Sequence, residues 1–269
     1  MNVYWLQQTE QDLPTENDWL SASEIVCLNA LHFPKRRADW LLGRWTAKCA
    51  LSAYLDVPAH IEIFRKIDVV AAVDGAPEAF VGGKRAGVTI SLSHRSGLAI
   101  CAVATAGVGL GCDLEIVEPR SDAFIADYFT AEEQTRIAQA SAEHRDRFLT
   151  LLWSGKESAL KTLRAGLRLD TRTVIVDPFV PPFEGEGWSP LTVRHTGGFS
   201  AEDRDDHRRY PTYQVFHGWW QSAGNMVRTN MVRTVVGAPA PESPIPLKVQ
   251  AHAFRTASDS VKKCAEKSA

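Results

Sequence analysis

The sequence has 269 residues, of which 45% are hydrophobic and 23% charged, with a formal net charge of -2. These values are typical of a globular protein with one large domain or two ordinary ones, and they argue against nucleic acid or an anionic membrane as a partner. No apolar run is long enough to span a bilayer, and the N-terminus lacks the pattern of a signal peptide. Five cysteines without a CxxC pair argue against a disulfide framework or zinc site and favour a cytoplasmic location.

The first part of the chain, from Ser21 to Val57, has helical patterns. Ser21 or Ser23 can cap a first helix, with Glu24 supplying an acid to its first turn. A second helix is predicted from about Ala38 to Leu55, because its apolar residues recur at helical spacing.

Short strands are predicted next, at Ile61–Arg65, Ala79–Phe80, Val88–Leu92, Leu98–Ala104 and Gly107–Val117. The Ala106-Gly107 pair between the last two indicates a hairpin. Helices are predicted again at Asp122–Phe129, from the capping box at Thr130, and over Arg145–Leu163. Further strands are predicted at Thr173–Val176, Leu191–Arg194, Tyr213–Gly218 and Met231–Val236.

This order of helices followed by strands occurs twice along the chain. It predicts an α+β fold with an N-terminal half over residues 1–117 and a C-terminal half over residues 118–237. The Pro-rich and polar segment 238–269 is expected to be a loose tail.

Two acidic residues stand two positions apart in a predicted strand, at Asp113 and Glu115. Side chains at this spacing point to the same face, so their carboxylates converge and repel unless a cation lies between them. Hard oxygen ligands suit Mg²⁺ or Mn²⁺. An isolated Asp-x-Glu is more often a solvated strand surface, so this pair alone does not establish a metal site.

A third carboxylate, Glu157, lies on the predicted helix in the segment from Trp153 to Lys161. Residues 153, 156, 157, 160 and 161 fall on one broad helical stripe. Glu157 and Lys161 could form a surface pair contributing about 0.3–0.5 kcal/mol. The functional alternative puts Glu157 at the metal and the ammonium groups of Lys156 and Lys161 on phosphate oxygens.

Groups that suit anion binding occur in two other places. Ser93-His94-Arg95, at a strand end, offers a hydroxyl, an imidazole and a guanidinium, although His94 could equally be satisfied within a turn. A Ser–His hydrolytic dyad is disfavoured because adjacent residues on a strand point apart and no G-x-S-x-G elbow occurs. The basic segment from Lys35 to Lys48, with Arg37 and Arg44, is either a solvated face or a phosphate clamp.

Taken together, these elements resemble the 4′-phosphopantetheinyl transferase superfamily, specifically its longer, monomeric, surfactin-synthetase-activating type. The family motif G-x-D-x-E is matched at Gly111–Glu115, and W-x-x-K-E-[SA]-x-x-K at Trp153–Lys161. The upstream Ser-His motif corresponds to Ser93-His94, and the basic helix to the segment from Arg37 through Arg44 to Lys48. The family's Gly-Lys-Pro element corresponds to Gly75-Ala76-Pro77, with Ala76 where Lys is common.

The resemblance implies two similar α+β halves related by a pseudo-two-fold axis, with the active site between them. It implies Mg²⁺-dependent transfer of the phosphopantetheine arm of coenzyme A to a serine of an apo acyl, peptidyl or aryl carrier protein, releasing adenosine 3′,5′-bisphosphate. Asp113, Glu115 and Glu157 would hold the metal, with Glu157 also a candidate base. Lys156 and Lys161 would neutralise developing charge.

The resemblance also implies a seat for coenzyme A. Arg37, Arg44 and Ser93-His94 would bind its 3′-phosphate and diphosphate, and the turn Gly75-Ala76-Pro77 would lie against the adenine. Two rival functions are a metal-dependent nuclease and a non-catalytic binder of coenzyme A or a carrier protein. The nuclease is disfavoured by the near-neutral charge and by the Lys-Glu order on a helix. The binder is disfavoured because simple binding has no need of a third acid.

Overall fold

A computed structural model describes residues 2–165, 168–178, 187–197, 213–223, 226–233 and 242–249, with residues 223 and 226–233 described by their backbone alone. The elements up to the middle of the chain are β1 Tyr4–Thr9, α1 Ala22–Asn29, α2 Pro34–Tyr54, α3 Ile61–Phe64, β2 Ile67–Ala71, β3 Pro77–Val81, β4 Lys84–Arg85, β5 Val88–Arg95, β6 Leu98–Thr105 and β7 Leu110–Ile116. They are followed by α4 Asp122–Tyr128, α5 Ala131–Gln139, α6 Ala142–Thr162, β8 Val174–Pro178, β9 Ser189–His195, β10 Gln214–Ala223, β11 Met226–Arg233 and β12 Ile245–Pro246.

The strands form three sheets and confirm the mixed α+β class. One sheet has the order β12-β1-β6-β5, a second β7-β11-β10-β9-β8, and a small third β2-β3-β4. Helix α2 packs on the first sheet and α6 on the second. Within the described ranges, no helix combines the length and apolar character that crossing a bilayer requires.

Two sequence-based predictions about local structure are wrong. The alternating segment starting at Ile61 forms a short helix, in which Phe64 is buried with its ring centroid 5.3 Å from that of Trp45. Strands β6 and β7 do not form a hairpin, because β6 is already hydrogen-bonded to β1 on one edge and to β5 on the other. Strand β7 instead pairs with β11 and opens the second sheet.

The segment after residue 238 is not entirely a loose tail. Within it, β12 pairs in parallel with β1, and the side chains of Leu247 and Val249 pack against the core formed by α2 and the first sheet. Residues near the end of the described chain thus pack with residues from its first part. Residues 250–269 lie outside the described part, so the prediction of a tail stands untested there.

The first and second sheets meet where β5 runs beside β7. The hydroxyl oxygen of Ser91 accepts the Cys112 N–H at 2.9 Å, and that of Ser93 accepts the Leu114 N–H at 3.2 Å. These serines take the place of main-chain acceptors along the junction. Helix α6 lies directly on β7 at Gly111. A Cβ added there would come within 1.8 Å of the Ser158 carbonyl oxygen, so only glycine allows this approach. This close packing brings the side chains of α6 next to those of β7.

A buried ion pair connects α1 and α2. The ammonium of Lys48 pairs with Glu24, the third residue of α1, and donates to the carbonyl of Phe64 at 2.7 Å. Glu24 also accepts the N–H of its own N-cap, Ser21, and the N–H of Val69 in β2. One carboxylate thereby joins α1, α2 and β2.

A similar arrangement occurs later in the chain, between α5 and α6. The ammonium of Lys156 in α6 lies 2.8 Å from Glu133, the third residue of α5, and donates to the carbonyls of Thr171 and Val174. Glu133 accepts the N–H of its N-cap, Thr130, and the N–H of Val176 in β8. Both lysines follow a similar tripeptide, Trp-Thr-Ala before Lys48 and Trp-Ser-Gly before Lys156.

Candidate active site

Asp113 lies at the centre of the cleft between β5, β7 and α6, and it is only 4% exposed. Its Oδ1 accepts the Ser93 hydroxyl at 2.9 Å and the Lys161 ammonium at 2.8 Å. Lys161 is held further by the Cys112 carbonyl at 2.9 Å. The other carboxylate oxygen of Asp113, Oδ2, is buried and has no hydrogen-bond partner. A buried carboxylate oxygen without a partner is costly, so this atom is suited to an incoming ligand such as a cation.

Glu115, two residues further along β7, is held by three donors. The indole Nε1 of Trp153 donates to its Oε1 at 3.3 Å, and the guanidinium groups of Arg120 and Arg95 approach Oε2 at 3.4 and 3.8 Å. Burial raises the pKa of Glu115, and the nearby Asp113 carboxylate adds to this effect. The predicted convergence of the two acids on one face of the strand is thus reflected in their electrostatic interaction.

Glu157 brings a third carboxylate to this cleft from α6. The pKa of Glu157 is raised to about 7, mainly by burial and also by the charges of Asp113 and Glu115, while the Lys161 ammonium opposes this shift. Glu115 and Glu157 both have a raised pKa next to the Asp113 carboxylate, so positive charge is favoured at this site. Asp113, Glu115, Glu157 and Lys161, all predicted from sequence, are therefore brought together.

The three carboxylates of the cleft, Asp113, Glu115 and Glu157, are the candidate metal ligands. Among the residues that the structure describes, no three Asp, Glu, His or Cys side chains are arranged as a ready set of metal ligands. The reason is visible in the contacts, because Lys161 holds Asp113 Oδ1 while Trp153 and two arginines hold Glu115. The donor chemistry still fits Mg²⁺, since all three groups are carboxylates and Asp113 Oδ2 lacks a partner.

Lys156 does not lie in the cleft. Its side chain is fully buried, and its ammonium contacts Glu133 and two main-chain carbonyls. The predicted contact of Lys156 with phosphate does not agree with this position. The supposed single stripe of α6 is in fact two faces, with Trp153, Glu157 and Lys161 towards the cleft.

Trp153 is fixed by aromatic neighbours. Its ring lies 5.0 Å from that of Phe124, 5.2 Å from Tyr128 and 6.5 Å from Phe129, measured between centroids. Edge-to-face contacts of this kind restrict the ring orientation. The orientation in which the Trp153 indole N–H donates to Glu115 is therefore fixed by these aromatic contacts.

A cavity of about 400 Å³ adjoins the acidic cleft. Its walls are the Gly75-Ala76-Pro77 turn, part of β5, the segment 107–110 before and at the start of β7, and the end of α6 with Lys161 and Arg164. Gly75 and Pro77 also line a neighbouring pocket of about 210 Å³ together with Arg44 and His94. The predicted turn thus forms a wall shared by both spaces.

The predicted basic and histidine residues are placed unequally. Arg44 stacks on the Trp40 ring at 4.9 Å in the smaller pocket, and its Nε is buried without a hydrogen-bond partner. His94 lies in the same pocket, and burial lowers its pKa.

Arg37 donates to the Leu28 carbonyl at 2.7 Å and lines neither pocket, and Lys48 is buried against Glu24. Ser93 uses its hydroxyl on Asp113 and Leu114.

Sequence reasoning missed several residues around this site. Ser91 lies two residues before the predicted Ser93, a spacing that puts both side chains on one side of a strand and could have indicated their common role. Arg120 and Arg164 were also missed. The partners of Arg120, Glu115 and Glu118, are near in sequence, whereas the partner of Arg164, Asp74, is 90 residues away and only the folded chain identifies it.

A comparison with family models matched residues 109–203 to the 4′-phosphopantetheinyl transferase superfamily. A comparison with curated proteins found no significant match. The matched range contains Asp113 and Glu115 on β7 and Glu157 and Lys161 on α6, which meet in the cleft described above. The match shows that this part of the chain is similar to that superfamily, whose description names a transferase.

Proposed function

We propose that this protein transfers the 4′-phosphopantetheine arm of coenzyme A to a serine of an apo acyl or peptidyl carrier protein. The reaction depends on Mg²⁺ and releases adenosine 3′,5′-bisphosphate. The observation that carries the proposal is the meeting of three carboxylates and Lys161 inside the range matched by the family. This is a holo-carrier-protein synthase activity of the surfactin-synthetase-activating type.

The subtype requires two similar α+β halves within one chain, related by a pseudo-two-fold axis. The repeated buried ion pair supports this relation, because Lys48 with Glu24 and Lys156 with Glu133 join equivalent elements in each half. In both halves the glutamate is the third residue of a capped helix and also accepts an N–H from a strand. The chain is expected to act as a cytoplasmic monomer, which light scattering of the purified protein would test.

Coenzyme A would lie across the two cavities. Its adenine would contact the Gly75–Pro77 turn that both spaces share, and its phosphates would meet Arg44 and His94 on one side and Lys161 on the other. A guanidinium stacked on a tryptophan is held in place for a phosphate. Ala76 has no charged group to offer at this turn.

Asp113, Glu115 and Glu157 would hold Mg²⁺, or Mn²⁺ in its place, with Asp113 Oδ2 as one donor atom. The bound cation would neutralise charge on the pyrophosphate oxygens. Ser93 and Lys161 fix Asp113 Oδ1, so the carboxylate plane is set before any ligand arrives. Trp153 does the same for Glu115.

The residues of the chain would act on the reacting groups as follows. The carrier serine oxygen forms a bond to the β-phosphorus of coenzyme A, and the bond from that phosphorus to the bridging oxygen breaks. The serine proton passes to the Glu157 carboxylate, directly or through water. The leaving adenosine 3′,5′-bisphosphate keeps the bond electrons, and the Lys161 ammonium stabilises the charge that develops on it.

The pH dependence of stability follows from Glu157. The unfolded chain releases this proton near 4.5 and the folded protein near 7, so the folded state binds the proton more tightly between these values. In EDTA, stability is expected to fall as pH rises through this window. Glu157→Gln should abolish the decrease and stabilise the protein by about 1–2 kcal/mol at pH 8.

Urea unfolding of both proteins at pH 4.5 and pH 8 measures this effect. The two proteins should differ little at the lower pH, where the glutamate is already protonated when folded. A variant that is destabilised at pH 8 would contradict the assigned burial of Glu157. Asp177→Asn, at a carboxylate that pairs with Arg136 and Arg194 outside the cleft, is the control.

The proposed activity is tested by incubating the protein with coenzyme A, MgCl₂ and an apo carrier protein. Intact-mass spectrometry should show a gain by the carrier of one phosphopantetheine. The rival nuclease activity would instead release nucleotides from DNA without modifying any carrier. A non-catalytic binder would retain coenzyme A and leave both carrier and DNA unchanged.

A further inference from the structure

Arg164 has an unusual backbone just beyond the end of α6. Its φ is +56°, in the left-handed region that costs energy for a residue with a Cβ. It lies three residues after Lys161, and its guanidinium faces away from the core. This conformation belongs to the C-cap of α6, in which the Ala165 N–H donates to the Leu160 carbonyl and the Arg164 N–H to the Lys161 carbonyl, each at 3.0 Å.

The guanidinium of Arg164 contacts the segment between β2 and β3 at the edge of the large cavity. Its Nε donates to Asp74 Oδ2 at 2.7 Å, and one terminal nitrogen donates to Asp74 Oδ1 at 3.0 Å and to Glu78 at 3.4 Å. This two-pronged geometry is the strongest form of an arginine–carboxylate contact. Arg85 holds the other oxygen of Glu78 at 2.9 Å, so the contact belongs to a chain of alternating charges.

Asp74 is at the same time part of the Gly75-Ala76-Pro77 turn. Its Oδ1 accepts the Ala76 N–H at 3.0 Å, while the Ala72 carbonyl accepts the Gly75 N–H at 2.8 Å. Gly75 has a φ of +87°, which this tight turn needs. The Asp74 carboxylate that shapes the turn is thus the one that Arg164 binds.

The Gly75–Pro77 turn and the Arg164–Asp74 ion pair, called the clasp below, line the same cavity. Asp74 and Arg164 both line the 400 Å³ cavity, and Lys161 lines it from the same helix. Gly75 and Pro77 separate this cavity from the pocket of Arg44 and His94. The position of the turn therefore determines the size of both cavities and the distance between the turn and Lys161.

We propose that Arg164 is a positioning residue for the nucleotide of coenzyme A. Through Asp74 it holds the Gly75–Pro77 turn, the adenine seat, at a fixed place relative to Lys161. The inference rests on the proposed function and adds to it a specific cross-cleft contact. Arg164 is not a catalytic residue, because its effect passes through the turn.

The alternative is an ordinary surface ion pair without functional effect. The side chains of Arg164 and Asp74 are 45% and 31% exposed, and pairs this accessible usually add little to global stability. Stability measurements alone would therefore not reveal the role. Substrate affinity must be measured separately from turnover and from folding.

Arg164→Gly is the most informative variant, because it removes the clasp and also relieves the left-handed strain. It should melt at or above the wild-type temperature. Its Kd for coenzyme A and for adenosine 3′,5′-bisphosphate should rise about three- to tenfold. Its KM for coenzyme A should rise by the same factor, while kcat stays within about twofold. Arg164→Lys, which keeps the charge but loses the two-pronged contact, should lie in between.

Two controls sharpen the test. Arg172→Ala removes a similar two-pronged contact, to Asp170, that lines neither cavity, and it should leave Kd unchanged. Asp74→Asn keeps an acceptor for the Ala76 N–H but weakens the clasp, so its effect should not add to that of Arg164→Gly.

Calorimetry and steady-state kinetics on the full chain decide the outcome. A Kd in Arg164→Gly within twofold of wild type, or a loss confined to kcat, would overturn the positioning role. A wild-type protein that neither binds coenzyme A nor modifies a carrier would overturn the proposed function itself. The two failures are therefore distinguishable.

Discussion

Replacing Asp113 by Asn should lower phosphopantetheine transfer by about 100-fold or more while leaving the fold intact. The substitution is nearly isosteric, and the remaining amide oxygen can still accept from Ser93 and Lys161. It removes the charge and turns the unpartnered Oδ2 into a donor, which repels a cation. Transfer rates and Mn²⁺ affinity, measured by electron paramagnetic resonance, should fall together.

The control for this substitution is Asp177→Asn, which changes the same chemical group outside the cleft and should retain full transfer. Circular dichroism and a urea titration verify that both variants fold. Retention of wild-type transfer by Asp113→Asn in Mg²⁺ would contradict the assigned role of the carboxylate. Loss of transfer with unchanged Mn²⁺ affinity would contradict its role as a metal ligand.

Replacing Lys156 by Met should destabilise the protein by about 3–5 kcal/mol. The substitution leaves Glu133 buried and without its ammonium partner, together with two main-chain carbonyls. The double variant Lys156→Met with Glu133→Gln should recover part of this loss, because an amide tolerates burial better than an unpaired carboxylate. The free energy of unfolding, from urea titration, measures both effects.

Lys35→Met provides the comparison, because Lys35 forms an exposed pair with Asp39 one turn along α2 and should contribute less than about 0.5 kcal/mol. If Lys156 contacted phosphate instead, its removal would abolish transfer and leave stability almost unchanged. That result would contradict the structural role assigned here. Lys161→Met should show the reverse pattern from Lys156→Met, with transfer lost and stability largely kept.

The local parts of this site could be predicted from sequence. Strand alternation puts Asp113 and Glu115 on one face, and the long helical pattern places Glu157 and Lys161 one turn apart. The capping box at Thr130 also predicts the start of α5. Each of these inferences needs only neighbouring residues.

The roles of the two motif lysines could not be separated in this way. Lys156 and Lys161 both lie on α6, and only the position of Glu133 on another helix determines which one is buried. The internal repeat of Trp-[Ser/Thr]-[Gly/Ala]-Lys was a usable signal, because Lys48 shares it. Cys49 follows that lysine where Glu157 follows Lys156, so the shared lysine indicates structure and the unshared acid indicates chemistry.

Sheet partners were also beyond local reasoning. The Ala106-Gly107 pair is compatible with a hairpin, but β1, from the start of the chain, already occupies the free edge of β6. Likewise β12, near the end of the described chain, adds to β1 because Leu247 and Val249 can be buried there. Long-range competition for strand edges decides both cases.

The central claim is tested most directly by counting products in one reaction. The protein, coenzyme A and an apo carrier are incubated with Mg²⁺ or with EDTA, and modified carrier and adenosine 3′,5′-bisphosphate are quantified together. The expected result is one nucleotide released for each carrier serine modified, in Mg²⁺ and not in EDTA. Equal modification in EDTA, or nucleotide release without a modified serine, would contradict it.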